Sequence, residues 1–200
     1  MKLIMEELRY KLKTAPIFNP VSLDAFKRNL HIGVQGEPDT TQDLYLQEIL
    51  DRTVEDVQEH IGRQIARATY YGYLDDFPSE DLKITRGPVA AIVAIKYYDL
   101  NNSQQTMAAA DYLLDNIETT ARVRFLNTYN VYSERLNGVE IEFTCGYESA
   151  AAVPKRLEEA IILLATDKYM NPENPVLNFG MGLRQTRAEN MLRQFRVQRY

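Results

Sequence analysis

Leu46, Leu50, Val54, Val57, Ile61 and Ile65 recur at steps of three and four residues, with Thr53 beside Val54. That spacing is one apolar stripe on a 3.6-residue period. It predicts a helix over residues 43–66, with Asp39, Thr40 or Thr41 as its cap. Gln47, Glu48, Asp51, Arg52, Glu55, Asp56 and Glu59 cover the opposite face. A helix so patterned needs a partner surface for its stripe, because most helical stability in proteins comes from packing. A second strong helix is predicted in PKRLEEAIILLATDKYM, residues 154–170. There Leu157, Ala160, Ile161, Leu164 and Ala165 form a stripe that Ile162 and Leu163 widen, so this segment is expected at the centre of the core. Pro154 suits its first helical position, where a missing N–H costs no hydrogen bond. A shorter helix is predicted over residues 22–32, capped by Ser22, with Asp24 in its first turn and Gly33 as its stop.

Between the two long helices the period changes from 3.6 to 2. ATYYGYLDDF is aromatic and broken by a glycine, and LKITRGP reads as a short strand ended by Gly87 and Pro88. In VAAIVAIKYYD, Val89, Ala91, Val93, Ile95 and Tyr97 are expected on one side and Ile92 with Lys96 on the other. DLNNSQQ has turn composition, and ARVRF and VEIEFTCGY alternate strictly. The expected fold is α+β. A helical bundle with helices near 22–32, 43–66 and 155–170 carries an inserted β-rich unit of five or six strands at about 68–147. Residues 1–20 read as an N-terminal arm, since the two prolines of TAPIFNP stop any helix begun in MEELRYKLK. Residues 171–200 read as a linker and a basic tail.

The chain has 200 residues, 45% hydrophobic and 26% charged, enough for a core of ordinary size. Its single cysteine excludes an intramolecular disulfide or a multi-cysteine metal centre. No apolar run approaches the ~18 residues that span a bilayer, and MKLIMEELRYKLK lacks the apolar stretch of a secretory signal. No membrane association is therefore expected. The net charge of −5 is unevenly spread: residues 183–200 carry +4 and residues 1–13 carry +2, leaving −11 for the rest. An acidic body with basic ends fits nucleic acid bound through the ends, or ends docked on a neighbour's acidic body.

Motifs for chemistry are sparse. Cys145 lies in the alternation Val139, Ile141, Phe143, Cys145, Tyr147, which places it on the apolar face. It is expected to be a buried small hydrophobe and not a nucleophile, which would need a nearby cation and access. His31 and His60 stand apart, with no companion at metal-ligand spacing. The acidic loop DDFPSED, residues 75–81, lacks the spacing and internal glycine of a calcium loop and is expected to be solvated. Glu158 and Glu159 are neighbours on a helix and diverge. Phosphate-loop, dinucleotide and nucleophile-elbow motifs are missing from the sequence. The expectation is no enzyme, no cofactor and no metal.

The basic tail is the leading candidate for function. Arg184, Arg187, Arg193, Arg196 and Arg199 are interspersed with Leu183, Met191, Leu192, Phe195 and Val197. Apolar anchors among arginines are typical of protein interfaces. The candidate interface residues are Arg184, Arg187, Met191, Leu192, Arg193, Phe195, Arg196 and Arg199; the alternative is a terminal helix packed on its own domain.

The order of segments carries a resemblance. A helix ending in Gly62 and Arg63 is followed by a strand, Pro88, a second strand and the pair Tyr98 and Asp99. Asp111 and Tyr112, then Gly146 and Tyr147, then Pro154, Ala160, Ile161 and Tyr169 complete the series. Over about residues 21–170 this succession resembles the head–tail connector (adaptor) family of tailed bacteriophages and prophages. The resemblance implies a virion structural protein without catalysis, located at the head–tail interface and in the host cytoplasm during assembly. It implies a homo-oligomeric ring of expected twelvefold symmetry beneath the portal protein. Such a ring extends the channel through which packaged DNA passes and docks the next neck or tail completion protein. The alternative from composition is a DNA-binding accessory protein acting through its basic termini.

Overall fold

The structure, a computed structural model, describes residues 8–33, 39–172 and 183–197. The chain separates into two compact units. One is β-rich and comprises residues up to 17 and 67–146; the other is helical and comprises residues 18–66 and those from 147 onward.

The β unit holds β1 (Arg9–Thr14), β2 (Ala68–Leu74), β3 (Leu82–Ile84), β4 (Val89–Tyr98), β5 (Gln104–Thr106), β6 (Tyr112–Asp115), β7 (Ala121–Phe125) and β8 (Val139–Cys145). They form an antiparallel five-stranded sheet in the order β1-β2-β8-β4-β5 and an antiparallel three-stranded sheet in the order β3-β7-β6. In β2 and β8 alternate residues are buried, as their period-two patterns predict. Tyr70 stacks on Phe143 there, with ring centroids 6.2 Å apart. Leu74, Ile84, Ile95, Val123, Ile141 and Phe143 fill the core of this unit.

Seven strands, β2 to β8, lie within residues 68–147 where five or six were expected, and two further expectations fail in the β unit. Residues 9–14 are not part of a free arm but an edge strand, β1, paired antiparallel with β2. Their pattern explains it: Tyr10 meets the Phe143 ring edge-on at 6.0 Å, while Lys13 reaches Glu142 at 2.7 Å. The glycine in the aromatic β2 run serves the same contact. A Cβ on Gly72 would lie 2.9 Å from both δ carbons of Leu8. Residues 1–7 of the expected arm lie outside the described residues. Second, β4 does not alternate strictly. Its register against β8 shifts between Val89 and Ala91 and again between Ile92 and Ala94. Each extra residue flips the side-chain parity, so Ile92 packs on the core while Ala91 and Val93 face solvent.

The helical unit contains α1 (Leu23–Leu30), α2 (Asp43–Ile61), α3 (Lys155–Met170) and α4 (Leu183–Leu192), the last followed by a 3-10 turn (Arg193–Phe195). Ser22 caps α1, its hydroxyl accepting from the Ala25 N–H at 3.2 Å. α1 stops before Gly33, because His31 takes the left-handed conformation at φ 59° and closes the last turn. α2 ends at Ile61 and not at residue 66. Gly62 adopts φ 69° there, and the N–H groups of Gly62 and Arg63 bond the Glu59 and Gln58 carbonyls, a glycine-terminated helix end. Ile65 is buried all the same, from the extended segment beyond the helix. Asp39 does not cap α2; it accepts from Thr41, and Gln42 precedes the helix without a side-chain cap bond. Pro154 stands one position before α3, at the cap, where its carbonyl accepts from Leu157 and Glu158.

α3 packs against α1, α2 and α4, in keeping with its broad apolar circumference. Leu46, Leu50, Val57 and Ile61 of α2 share one cluster with Phe26 of α1 and with Leu157, Ile161 and Leu164 of α3. Polar contacts fix the helices laterally: Asn29 donates to the Thr166 hydroxyl at 2.8 Å, and Lys168 pairs with Asp56.

Candidate protein interface

α4 and the turn after it are built into the helical unit. Ala188 and Leu192, four residues apart on one face, are both 0% exposed, and Met191 and Phe195 pack beside them on the same cluster. The tail is also held by its backbone. Val197 donates its N–H to the Ile61 carbonyl at 2.9 Å, and Arg63 Nε donates to the Phe195 carbonyl at 2.6 Å. A Cβ on Gly62 would touch Val197 Cγ2 at 3.4 Å. Arg187 pairs with Glu159 of α3 at 2.7 Å, both side chains largely in solvent.

The candidate residues therefore divide. Met191, Leu192 and Phe195 are brought together as the packing face of the tail on its own unit. Arg187, Arg193 and Arg196 are exposed. The side chain of Arg184 and all of Arg199 lie outside the described residues, as does the linker over 173–182. Sequence reasoning missed Ala188, although its i, i+4 relation to Leu192 marks it as an inward position. It also assigned no contact to Arg63. Beside the tail, burial and then the Arg196 charge hold the His60 imidazole below its ordinary pKa.

Cys145 is 0% exposed and opposes Ala68 and Val89 across its two ladders. Burial pushes its thiol up to about 12, against a small opposing influence from Arg86. The thiolate that nucleophilic chemistry requires is therefore suppressed. Asp75, Asp76 and Asp81 of the 75–81 loop are occupied by protein groups. Asp75 accepts from the Asn137 N–H at 2.7 Å and pairs with Arg9, and Asp81 binds Arg124 through two contacts of 2.7 Å. Among the described residues no group of three potential metal ligands comes together, and no helix is long and apolar enough to cross a membrane. An open concavity of about 310 Å³ beside Tyr97 and Tyr129 contains one carboxylate, Asp99. Its oxygens already accept from the Asn101 and Ser103 N–H groups and from Gln105.

No protein-family model matches this chain, and no curated protein matches it by sequence. Solved structures do match. The fold is similar to a chain in the neck of an empty gene transfer agent (GTA) particle computed with C6 symmetry, with a TM-score of 0.76 and 20% identity, covering 96% of this chain and 97% of that one. It is also similar to a chain of the virion of a native GTA particle, at TM-score 0.74 and 19% identity over 96% of each chain. A third is a chain in the neck of the native particle computed with C12 symmetry, at TM-score 0.70 and 18% identity, covering 96% of this chain and 97% of that one.

Proposed function

We propose that this chain is a head–tail connector of a phage-like particle, a structural protein of the neck. The observation that carries the reading is end-to-end similarity of fold, over both units and the tail helix, to chains from particle necks. The ordered motifs between residues 21 and 170 lend independent support, since they resemble the connector family. In this reading twelve copies form a ring beneath the portal protein, extend the DNA channel and present a face to the next neck protein. A closed ring requires a heterologous interface, in which two different surfaces of one subunit match. The exposed Arg187, Arg193 and Arg196 supply a basic surface. The solvent face of α2, with Glu48, Asp51, Glu55 and Glu59, supplies an acidic one. Met191, Leu192 and Phe195 serve the interface indirectly, by holding the arginines in place. The DNA-binding alternative is disfavoured because Arg9 and Lys13, near the basic N-terminal end, are paired with Asp75 and Glu142.

The test mixes the purified chain with a portal protein and measures the mass of the product. A portal complex with one connector per portal subunit is expected. The double variant Arg193→Glu, Arg196→Glu leaves Ala188 and Leu192 untouched and is expected to lose that complex while keeping its fold. A variant that binds as well as wild type would remove the tail arginines from the interface. A wild-type chain with no affinity for any portal would sink the connector reading.

A further inference from the structure

Among the described residues, Arg63, Arg86 and Arg135 each bury a guanidinium N–H that has no acceptor. Two of these are compensated. Arg86 lies over the Tyr70 ring at 4.7 Å, and Arg135 lies over the Tyr98 ring at 3.5 Å and donates to Asn102. An aromatic face attracts a cation and offsets part of its burial. Arg63 is the most enclosed, at 8% exposure, and its Nη1 is the buried nitrogen without an acceptor. Among the described residues its guanidinium makes one hydrogen bond, from Nε to the neutral Phe195 carbonyl. No carboxylate of a described residue pairs with it, and burial lowers its pKa against a small opposing effect of Tyr147. The C-terminal end of α2 favours a cation nearby. Yet the Gln58 and Glu59 carbonyls at that end already accept from Arg63 and Gly62 N–H groups. A buried charge is costly unless it is paired, and a guanidinium does not escape by deprotonation.

We infer that Arg63 is a receptor for a carboxylate carried by a second copy of this chain, and that the Phe195 carbonyl is the acceptor it holds until that carboxylate arrives. The planar fork of a guanidinium matches the two oxygens of a carboxylate. The chain is itself a carboxylate source, with 28 Asp and Glu against 23 Lys and Arg. Glu55 and Glu59 are exposed on α2, with no partner among the described residues. Entry of the carboxylate requires residues 195–197 to shift, because Val197 lies on Gly62 and bonds Ile61. The identity of the donor rests on the ring reading above; the receptor itself does not.

The test has two arms. In the first, the wild-type chain is titrated with sodium acetate and, at equal ionic strength, with sodium chloride, while NMR follows the Arg63 Nε–H and the Val197 N–H. A saturable Arg63 response to acetate alone is expected, with Val197 exchanging its hydrogen about tenfold faster at saturation. Equal responses to the two salts, or an unchanged Val197, would overturn the receptor and leave a buried water as the acceptor of Nη1. In the second arm, sedimentation compares self-association of wild type and Arg63→Gln. About tenfold weaker association of the variant is expected. Equal association, or a wild type that binds acetate yet stays monomeric, would overturn the second copy as donor. The first arm uses only the wild-type chain, so it stands whatever Arg63→Gln does to folding, and it stands without the neck reading.

Discussion

Ile92 faces Phe143 across the β4–β8 ladder because β4 carries an extra residue on either side of it. Val89, Ile92, Ile95 and Tyr97 oppose Cys145, Phe143, Ile141 and Val139 in turn, so β8 advances by two residues per step while β4 advances by three, three and two. The bulges turn Val93 outward, to 54% exposure, and leave Ile95 at 0%. Val93→Thr is therefore expected to change stability by less than about 0.5 kcal/mol, as for an ordinary surface site. Ile95→Ala is expected to cost about 2–5 kcal/mol through lost burial and a residual cavity. Chemical denaturation measures both, and similar costs at the two positions would refute the bulged register.

The tail allows a parallel contrast. Leu192 is enclosed by its own helical unit, whereas Arg187 makes an exposed ion pair with Glu159. Leu192→Ala is expected to cost about 2–5 kcal/mol, and to expose residues 187–197 to limited proteolysis. Arg187→Gln is expected to cost no more than about 1 kcal/mol, since exposed ion pairs contribute little. If both variants melt like wild type, the tail is not docked in solution.

These contrasts locate what the sequence made legible. Single-face helical periodicity pointed to α2 and α3, because both bury one stripe and nothing interrupts it. The Ser22 cap was legible for the same reason, being local chemistry. The end of α2 was harder to read. Ile65 continues the three-and-four spacing past Gly62, yet the chain has already left the helix there, and both conformations bury an isoleucine equally well. The β4 bulges leave no mark on composition, because Ala91, Ile92 and Val93 suit either face. β1 was obscured by charge, since an edge strand carries lysines on its exposed positions and so lacks the apolar content of a central strand. The tail offered arginines and apolar residues in one segment. The i, i+4 relation of Ala188 and Leu192 marks one inward face, and packing on the helical unit shows that Met191 and Phe195 join it.

Cys145 gives a chemical test of the β-unit core. With the thiol fully buried and its pKa pushed up to about 12, the native chain is expected to resist a disulfide reagent at mildly alkaline pH. Denaturant should then release one reactive thiol per chain, the full cysteine content. Rapid labelling of the native chain would mean that β8 opens readily or that Cys145 is accessible, and either contradicts its place between Ala68 and Val89.

The same unit should weaken in acid through three arginine-paired carboxylates. The Asn137 N–H and then the Arg9 guanidinium hold Asp75 below the ordinary carboxylate range, and Arg124 does so for Asp81. Arg122, followed by the Ile117 N–H, does the same for Asp115. In the unfolded chain each returns to about 3.9. Between the depressed native values and that value the unfolded state binds more protons, so stability rises with pH across this window. The contribution is fully present above about pH 4 and is lost as pH falls through the native values. Urea unfolding at about pH 5 and about pH 3 is expected to show a smaller difference for Asp81→Asn than for wild type, because the variant has one coupled carboxylate fewer. High salt should shrink the wild-type difference as well, since all three sites are solvent-facing and screened. An Asp81→Asn chain with the full wild-type acid loss would show that the pair with Arg124 contributes nothing to folding.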